Sequence, residues 1–262
     1  MRWHRIRALL IRHLYLYRRS FPRIMDLVYW PVMELLLWGF LSLYLERLQL
    51  AQFNAVTVLL GAIIFWDLLS QSQRVVSIAF LEEVWEKNLL NLFVTPLKMS
   101  EFLASTVLLG VIRVGLVSAI MAVLAFIFYA FNIFTFGIWL IPFVANLLMF
   151  GWILGLFTTG VILRYGTSAQ VLAFGIIFLL QPFSAVFYPV SILPQGVQYV
   201  ANLIPATHVF EGMRQVIMTG TVPLSNLIWA VALNALFLTL VLIYFYRMFA
   251  WVKKSGRLMK LD

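Results

Sequence analysis

Three ionisable side chains in the last quarter of the chain have the spacing of a chemical site. His208, Glu211 and Arg214 recur every three residues, which places them on one face of a helix. A histidine one turn from a carboxylate can bind a metal ion or exchange a proton. The chain has three histidines and no cysteine, however, and His4 and His13 lie near the N-terminus. We therefore expect no metal here, but either a Glu211–Arg214 pair that closes a gate or an Arg214 that binds an anionic head group.

Three further charged residues, Glu34, Asp67 and Arg113, interrupt long apolar runs. If those runs cross a membrane, a charge near the bilayer centre costs about 2.5–3.5 kcal/mol, so unpaired charges are disfavoured. All three fall in the cytoplasmic half of their runs under the orientation argued below. We therefore expect Arg113 to pair with Asp67 or Glu34. Such a pair could serve helix packing alone, or it could line a polar path for a substrate.

A charged segment, Phe80–Phe102, separates two of the apolar runs, although only 11% of all residues are charged. Its apolar residues recur at the spacing of one helix face, and its first four charged residues fall on the opposite face. Thr95-Pro96 ends this pattern, because proline disfavours helix in the residue before it. The segment therefore predicts an amphipathic helix over 80–94 that lies flat at one membrane surface. A solvated loop is the alternative.

The elements that position these residues are membrane helices. Hydrophobic residues make up 63% of the chain, whereas soluble domains average about 45–50%. We find no polar stretch long enough for a second domain, so residues 1–262 form one unit. The arginine-rich start lacks the apolar core of a cleavable signal. The net charge of +9 indicates membrane topology and not nucleic-acid binding.

A spanning helix needs about 20 mainly apolar residues. Six segments meet this need, and together they predict an all-α polytopic membrane protein with six transmembrane helices. The predicted spans are Leu27–Leu45, Phe53–Gln73, Leu103–Phe131, Phe136–Leu163, Gln170–Tyr188 and Leu227–Phe249.

The distribution of arginine and lysine orients these spans. With both termini in the cytoplasm, that side receives the basic N-terminus, the charged segment 80–102, the short central loop at Arg164 and the basic C-terminus. The outer side then keeps only Arg47 and Arg214. Positive charge favours the cytoplasmic side, so we expect the segment 80–102 to lie there. The cytoplasmic basic residues are Arg2, Arg5, Arg7, Arg12, Arg18, Arg19, Arg23, Arg74, Lys87, Lys98, Arg164, Arg247, Lys253, Lys254, Arg257 and Lys260.

Two regions outside the spans also have helical patterns. In residues 1–23, Arg5, Arg12 and Arg19 recur every seven residues, which predicts a basic amphipathic helix in the inner interface. Residues 189–226 are rich in proline and glycine but contain two short apolar runs. We expect two short helices there, on the outer side, which either dip into the membrane or form a plain external loop.

The order of these features resembles the permease subunit of type-2 ATP-binding-cassette (ABC) exporters. The resemblance covers nearly the whole chain. It includes the N-terminal interfacial helix, a cytoplasmic coupling helix between spans two and three, and short outer re-entrant helices before span six. The matching residues are Glu82–Leu92, Thr95-Pro96, Glu101, Tyr188-Pro189, Leu193-Pro194, Ile204-Pro205 and Glu211–Arg214. Glu86-Lys87 departs from the family, because many members have a less charged, glycine-containing stretch there.

The resemblance implies a transport subunit that is not itself an enzyme. The chain has no G-x-x-x-x-G-K-[ST] phosphate loop, so ATP and magnesium would be bound by a separate ATPase subunit. That partner would contact the coupling helix through Glu82, Glu83, Trp85, Glu86 and Lys87. The resemblance further implies a second permease copy, contact with membrane lipids, and a place in the bacterial inner membrane.

The cargo implied by the resemblance is a lipid-linked polysaccharide, another lipid or an amphipathic drug. A membrane-embedded lipid-modifying enzyme is one alternative, but it would need several polar groups converging at one depth. An ion-coupled carrier is another, and it would favour internally repeated broken helices. Aromatic residues make up 16% of the chain; most would pack or line the interfaces, and a minority could stack on sugar rings.

Overall fold

The computed structural model describes residues 2–48 and 55–255, and within these ranges the regular structure is helical, with no strand. The predicted all-helical fold is therefore confirmed for this part of the chain. The predicted start of the second span at Phe53, and the basic residues Arg257 and Lys260, lie outside it. In these ranges the α-helices are α1 (Trp3–Arg19), α2 (Phe21–Arg47), α3 (Ala55–Trp85), α4 (Leu89–Val94), α5 (Met99–Tyr129), α6 (Leu140–Tyr165), α7 (Gln170–Leu180), α8 (Gln195–Asn202), α9 (Pro205–Thr219) and α10 (Leu224–Lys254).

Four helical stretches among the described residues are long and apolar enough to cross a membrane. They are Phe21–Arg47, Met99–Tyr129, Ile133–Phe183 and Leu224–Lys254. The third is 51 residues long and contains both α6 and α7, which are separated by a break at Gly166, where φ is +67°. The chain is therefore a multi-pass membrane protein.

The helix α3 lies at the centre of the bundle and packs most closely on α6. A Cβ atom built on Gly151 would lie 2.6 Å from the Cβ of Ser72, and one on Gly155 would lie 2.7 Å from the Cβ of Val76. The Ser72 hydroxyl also donates to the Leu148 carbonyl of α6 at 2.9 Å. Small residues four apart allow such close contact between membrane helices. Because later residues of α3 meet later residues of α6, the two helices run in the same direction.

The helix α10 follows the same direction as α6. Near the start of both helices the Asn234 amide donates to the Asn146 side-chain oxygen at 3.0 Å, and further along Gly160 lies against the Tyr244 ring. This contact satisfies the buried side-chain N–H groups of Asn234, which would be costly to leave unpaired, whereas the Asn234 side-chain oxygen has no hydrogen-bond partner among the described residues. Three long helices, α3, α6 and α10, are thus parallel.

The helices α2 and α5 run the opposite way. Phe102, in the first turn of α5, makes an edge-to-face contact with Phe80 near the end of α3, with the ring centroids 6.3 Å apart. Arg23, in the first turn of α2, pairs with Glu82 near the same end. Both helices pack along α3 from that point, so they are antiparallel to it.

The helices α8 and α9 form a hairpin whose tip reaches into the depth of the bundle. The tip residues Leu203 and Ile204 border an apolar cavity of about 460 Å³ together with Phe150 of α6 and Phe237 of α10. Phe150 lies ten residues, or about 15 Å, along α6 from the start of that helix at Leu140. Two helices therefore occupy the proline-rich region 189–226, where two short helices were expected.

The segment 80–102 differs from the single helix predicted over 80–94. The helix α3 continues to Trp85, the chain turns at Lys87 with φ at +53°, and the short helix α4 follows from Leu89 to Val94. Thr95 is extended before Pro96, as the proline rule requires. The single helix predicted from the sequence therefore corresponds to two helices, the end of α3 and α4, which a left-handed turn at Lys87 separates.

Candidate functional site

The carboxylate of Glu83 lies inside the protein and is bound by the N-terminal helix. Arg12 of α1 donates to it with two guanidinium nitrogens, at 2.5 and 3.2 Å, and the Asn88 amide donates at 2.7 Å. Glu83 is only 2% exposed. It was predicted to face an ATPase, and that prediction was wrong, because an arginine 71 residues earlier in the chain occupies its carboxylate.

Glu82 and Glu86 extend this contact to α2. Arg23 lies 3.4 Å from the Glu82 carboxylate and 3.7 Å from that of Glu86, which is also 3.8 Å from Arg12. Glu86 remains about half exposed, whereas Glu82 is largely covered. We call this group of Glu82, Glu83, Glu86, Arg12 and Arg23 the inner cluster. It joins α1, α2 and the end of α3 into one unit.

A second carboxylate, Glu101, holds the start of α1. It accepts the backbone N–H groups of Arg2 at 2.8 Å and Lys98 at 3.1 Å, and Arg5 lies 3.4 Å away. Arg5 also donates to the carbonyl of Pro96. Two of the three arginines that the seven-residue spacing placed on one face, Arg5 and Arg12, therefore bind acidic residues of the segment 80–102.

The exposed part of the segment 80–102 combines apolar side chains with charged and polar ones. Trp85 is 47% exposed, with its indole N–H 3.3 Å from the Gln170 amide oxygen. Val94, at the end of α4, is 79% exposed. Trp85 was expected among the residues that contact an ATPase; its exposure leaves it accessible to such a contact, which stays a prediction. Lys87 lies between Trp85 and Val94, at the turn.

Arg113 does not join the other intramembrane charges. Its guanidinium lies 4.4 Å above the ring of Tyr17 in α1 and donates to the Tyr17 hydroxyl at 2.5 Å. The prediction that Arg113 pairs with Asp67 or Glu34 was wrong, because Tyr17 of α1 contacts the Arg113 guanidinium instead. His13, one turn earlier in α1, is buried as well, and this burial lowers its pKa, although Glu83 acts in the opposite sense.

A cleft between α2, α3 and α7 brings together polar and aromatic side chains at membrane depth. Its volume is about 320 Å³, and both polar and apolar atoms line it. Glu34 contributes a carboxylate from α2, and Arg74 contributes a guanidinium from α3. The remaining lining residues are Trp30, Met33, Leu37, Trp38, Ile63, Trp66, Ser70, Ile177, Phe178 and Gln181.

Asp67 lies directly behind the wall of this cleft. It is 4% exposed and is hydrogen-bonded by the Gln71 side chain one turn along α3. Arg74 is the cation that acts on both Asp67 and Glu34. Our sequence analysis assigned Arg74 only to the cytoplasmic charges and missed its place in the cleft. The signal was its seven-residue spacing from Asp67, which places both on one helix face.

Glu211 and Arg214 join the α8–α9 hairpin to the segment that follows α7. They lie 3.0 Å apart, and Arg214 donates to the carbonyls of Ala185 at 2.5 Å and Val186 at 3.3 Å. Glu211 also accepts the backbone N–H of Val190 at 2.8 Å. Arg214 is 7% exposed, so this is a buried connection and not a surface pair.

His208 lies apart from that pair and has a different role. Its Nε2 atom is 2.9 Å from the carbonyl of Asn202, at the break between α8 and α9. Pro205 cannot supply a backbone N–H at this break, and the imidazole is the side-chain partner of the Asn202 carbonyl. The histidine therefore stabilises the hairpin tip.

A family model described as ABC-2 type transporter matches residues 4–218, which extend from α1 almost to the end of α9. No curated protein matches the chain. The matched range contains the inner cluster, the cleft and the Glu211–Arg214 pair.

Proposed function

The chain belongs to the ABC-2 type transporter family, and on that premise we propose that it is the permease of an ATP-driven exporter for amphipathic cargo. As a member of this family it is a transmembrane transport subunit. The proposed cargo is a lipid-linked polysaccharide, another lipid or an amphipathic drug, moved out of the cytoplasm or inner leaflet of a bacterial inner membrane. The motor is a separate ABC ATPase, which binds ATP and magnesium.

The observation that carries this proposal is the cleft between α2, α3 and α7. It sets the charged groups of Glu34 and Arg74 beside three tryptophans and several aliphatic side chains. A cargo with a polar head and an apolar tail needs both kinds of surface at one depth. Charged side chains within membrane helices commonly mark such transport paths.

Six crossings with both ends in the cytoplasm fit the packing of the helices. The antiparallel relation of α2 and α5 to α3, α6 and α10 is what alternating crossings require. Adding α3 and counting α6 and α7 separately extends the four apolar stretches to six spans. The inner cluster, with its excess of arginines around α1, then lies on the cytoplasmic side as the positive-inside rule favours.

We propose that the ATPase docks on the exposed surface from Trp85 to Val94, which we call the docking surface. Glu86 and Lys87 flank it, while Glu82 and Glu83 act behind it by holding α1 and α2. Movement of the docking surface would therefore be transmitted to three helices together. A rigid-body change of this kind couples a motor to alternating access when the ATPase binds the two states differently.

A second copy of the chain would complete the path. The mouth of the cleft carries Trp30 and Phe178, both more than half exposed. At the outer end, the Glu211–Arg214 pair holds the α8–α9 hairpin against the segment after α7. In the proposal this connection is the outer gate, and it opens when Arg214 releases the carbonyls of Ala185 and Val186.

The absence of native cysteine allows a direct test of the docking surface. Single cysteines at Val94 and Glu86 would be crosslinked in membranes to the ATPase encoded nearest to this chain, with and without trapped nucleotide. We expect crosslinks at both positions whose yield changes with nucleotide. A cysteine at Tyr199, exposed on the outer hairpin, is the matched control and should give none. Equal yields from all three positions, or none from Val94 and Glu86, would refute the docking surface.

A further inference from the structure

We propose that the cleft between α2, α3 and α7 binds a positively charged ammonium group carried by an amphipathic molecule. This inference rests on the proposed export function, and it assigns the chemical class of the cargo head group. The site consists of the Glu34 carboxylate and the surrounding tryptophans.

Carboxyl groups outnumber cations around the cleft. Glu34 and Arg74 both line the cavity, and the buried Asp67 adds a second carboxyl group on the same face of α3 as Arg74. A buried carboxyl group can remain protonated, so this count fixes no excess charge by itself. A cationic ligand would stabilise the ionised form of these carboxyl groups, whereas an anionic ligand would disfavour it.

Glu34 is the carboxylate that remains available to a ligand. Asp67 is buried behind the wall and is bound by Gln71. Glu34 lines the cavity itself, and no ion pair within 4.0 Å engages it in the described part of the chain. Arg74 therefore acts on it from a longer distance.

The aromatic walls provide a second and independent feature that fits a cation. Trp30, Trp38 and Trp66 all border the cavity, and tryptophan gives the strongest attraction for an organic cation over its ring. The ring of Trp38 is already stacked on Phe187, with centroids 4.2 Å apart, and Trp66 is buried against Phe210. Trp30, which is more than half exposed, is therefore the ring that remains accessible to a ligand. Aromatic side chains around a carboxylate are the usual environment of a bound quaternary ammonium group.

The rest of the cavity suits an alkyl chain. Met33, Leu37, Ile63 and Ile177 line it with aliphatic groups. Leu37, with more than half of its surface exposed, extends this lining towards the mouth. The head group would therefore lie at Glu34 while the tail leaves along α2, which is the arrangement that a single-chain or lipid-like cation requires.

Binding to the full-length protein in phosphatidylglycerol nanodiscs, without ATPase, tests the inference. The probe is radiolabelled dodecyltrimethylammonium, measured by equilibrium dialysis and corrected with protein-free nanodiscs. Dodecyl maltoside, which has the same tail and no charge, is the competitor that needs no variant. We expect saturable binding that unlabelled dodecyltrimethylammonium displaces and dodecyl maltoside does not. Equal displacement by the two would overturn the proposal.

Variants of the charged residues test whether the probe binds in the cleft. Glu34→Gln should weaken binding of the probe about tenfold, equivalent to loss of one partly screened ion pair, while Glu34→Asp retains it. Arg74→Gln should strengthen binding, because it removes the competing cation. Glu46→Gln, at an exposed position near the outer end of the same helix, should leave binding unchanged. Unaltered binding in both Glu34→Gln and Arg74→Gln would overturn the site.

The source of the ammonium group is distinguished by choline as a competitor. Displacement by choline at concentrations similar to those of dodecyltrimethylammonium would support a water-soluble ammonium ligand, and displacement by the amphiphile alone would support a lipid-like one. Because no ATPase is present, a failure here leaves the crosslinking result at Val94 and Glu86 intact. Specific binding of the probe without a crosslink at Val94 or Glu86 would instead support the ligand site and contradict the proposed docking of the ATPase.

Discussion

At the scale of single residues, the buried contact between Arg12 and Glu83 has the clearest energetic consequence. Glu83 is almost fully covered, while about a third of Arg12 is exposed. Loss of either partner leaves the other without its counter-charge, and the cost is greater for the buried carboxylate. The contact also helps to hold α1 against the end of α3. Asn88 donates to Glu83 as well, but its neutral amide cannot neutralise the carboxylate.

We expect Arg12→Gln and Glu83→Gln each to lower the free energy of unfolding, by about 1–3 kcal/mol. The double variant should be less destabilised than the sum of the two, because each single change already breaks the same contact. The free energy of unfolding is measured in mixed micelles for each of the two single variants and for the double variant. Arg7→Gln, at an exposed position of α1, is the control and should remain near wild type. Strictly additive losses would show that Arg12 and Glu83 act independently.

The sequence identified most charged residues of these clusters but misplaced their partners. Helical periodicity put Glu82 and Glu83 on an outward face, because charged residues usually face solvent. Their arginine partners come from α1 and α2, some 60–70 residues away in the chain, and no local pattern encodes that contact. Arg113 was misassigned for the same reason, since Tyr17 approaches it from α1.

At the scale of elements, the close packing of α3 on α6 depends on two glycines. The space beside Gly155 is filled by the Val76 side chain and by the Gln73 carbonyl, 2.9 Å from the position of a Cβ atom. A backbone oxygen cannot move aside as a side-chain end can. The helices therefore have to separate if any larger residue replaces this glycine.

We predict that Gly155→Ala destabilises the protein by about 1–3 kcal/mol, because the added methyl overlaps α3. Gly115→Ala in α5 is the matched control, since no atom lies within 4 Å of its Cβ position. That change should be neutral or stabilise by up to about 1 kcal/mol through helix propensity. Unfolding of both variants in mixed micelles gives the comparison. Similar losses for the two would exclude close packing as the cause.

The presence of each long helix was easier to predict than the residues at which the helices begin and end. Apolar runs of sufficient length located the long helices, and Thr95-Pro96 ended the helical pattern where a proline must. The end of α3 was missed because its helix continues through Glu82 and Glu83 to Trp85, past the point where the apolar run stops. The helix α1 buries those carboxylates and so allows α3 to continue. This burial depends on a contact between distant parts of the chain, which the local sequence does not reveal.

At the scale of the whole molecule, the proposed six crossings fix which ends share a compartment. Ser255 follows α10, Glu86 follows α3, and Leu48 follows α2, all at exposed positions. With six spans, Ser255 and Glu86 lie in the cytoplasm and Leu48 lies outside. Tyr199 on the α8–α9 hairpin lies on the same side as Leu48.

Single cysteines at these four positions allow the topology to be measured with a membrane-impermeant thiol reagent. We expect Leu48→Cys and Tyr199→Cys to react in intact cells, and Glu86→Cys and Ser255→Cys to react only after permeabilisation. Each group contains two positions, so poor reactivity at one does not decide the result. Reaction of Ser255→Cys in intact cells, with Glu86→Cys protected, would mean an odd number of crossings between them.

The contact of α3 with Gly151 and Gly155 also gives this helix the geometry of a lever. The contact lies near Ser72, about 20 Å from Trp85 and about 26 Å from Ala55 at 1.5 Å per residue. A stiff rod held at such a fulcrum turns its two ends in opposite directions through similar distances. A sideways displacement of Trp85 at one end of α3 would thus reappear at the other end with reversed sign and slightly larger amplitude, with no change in the length or winding of the helix.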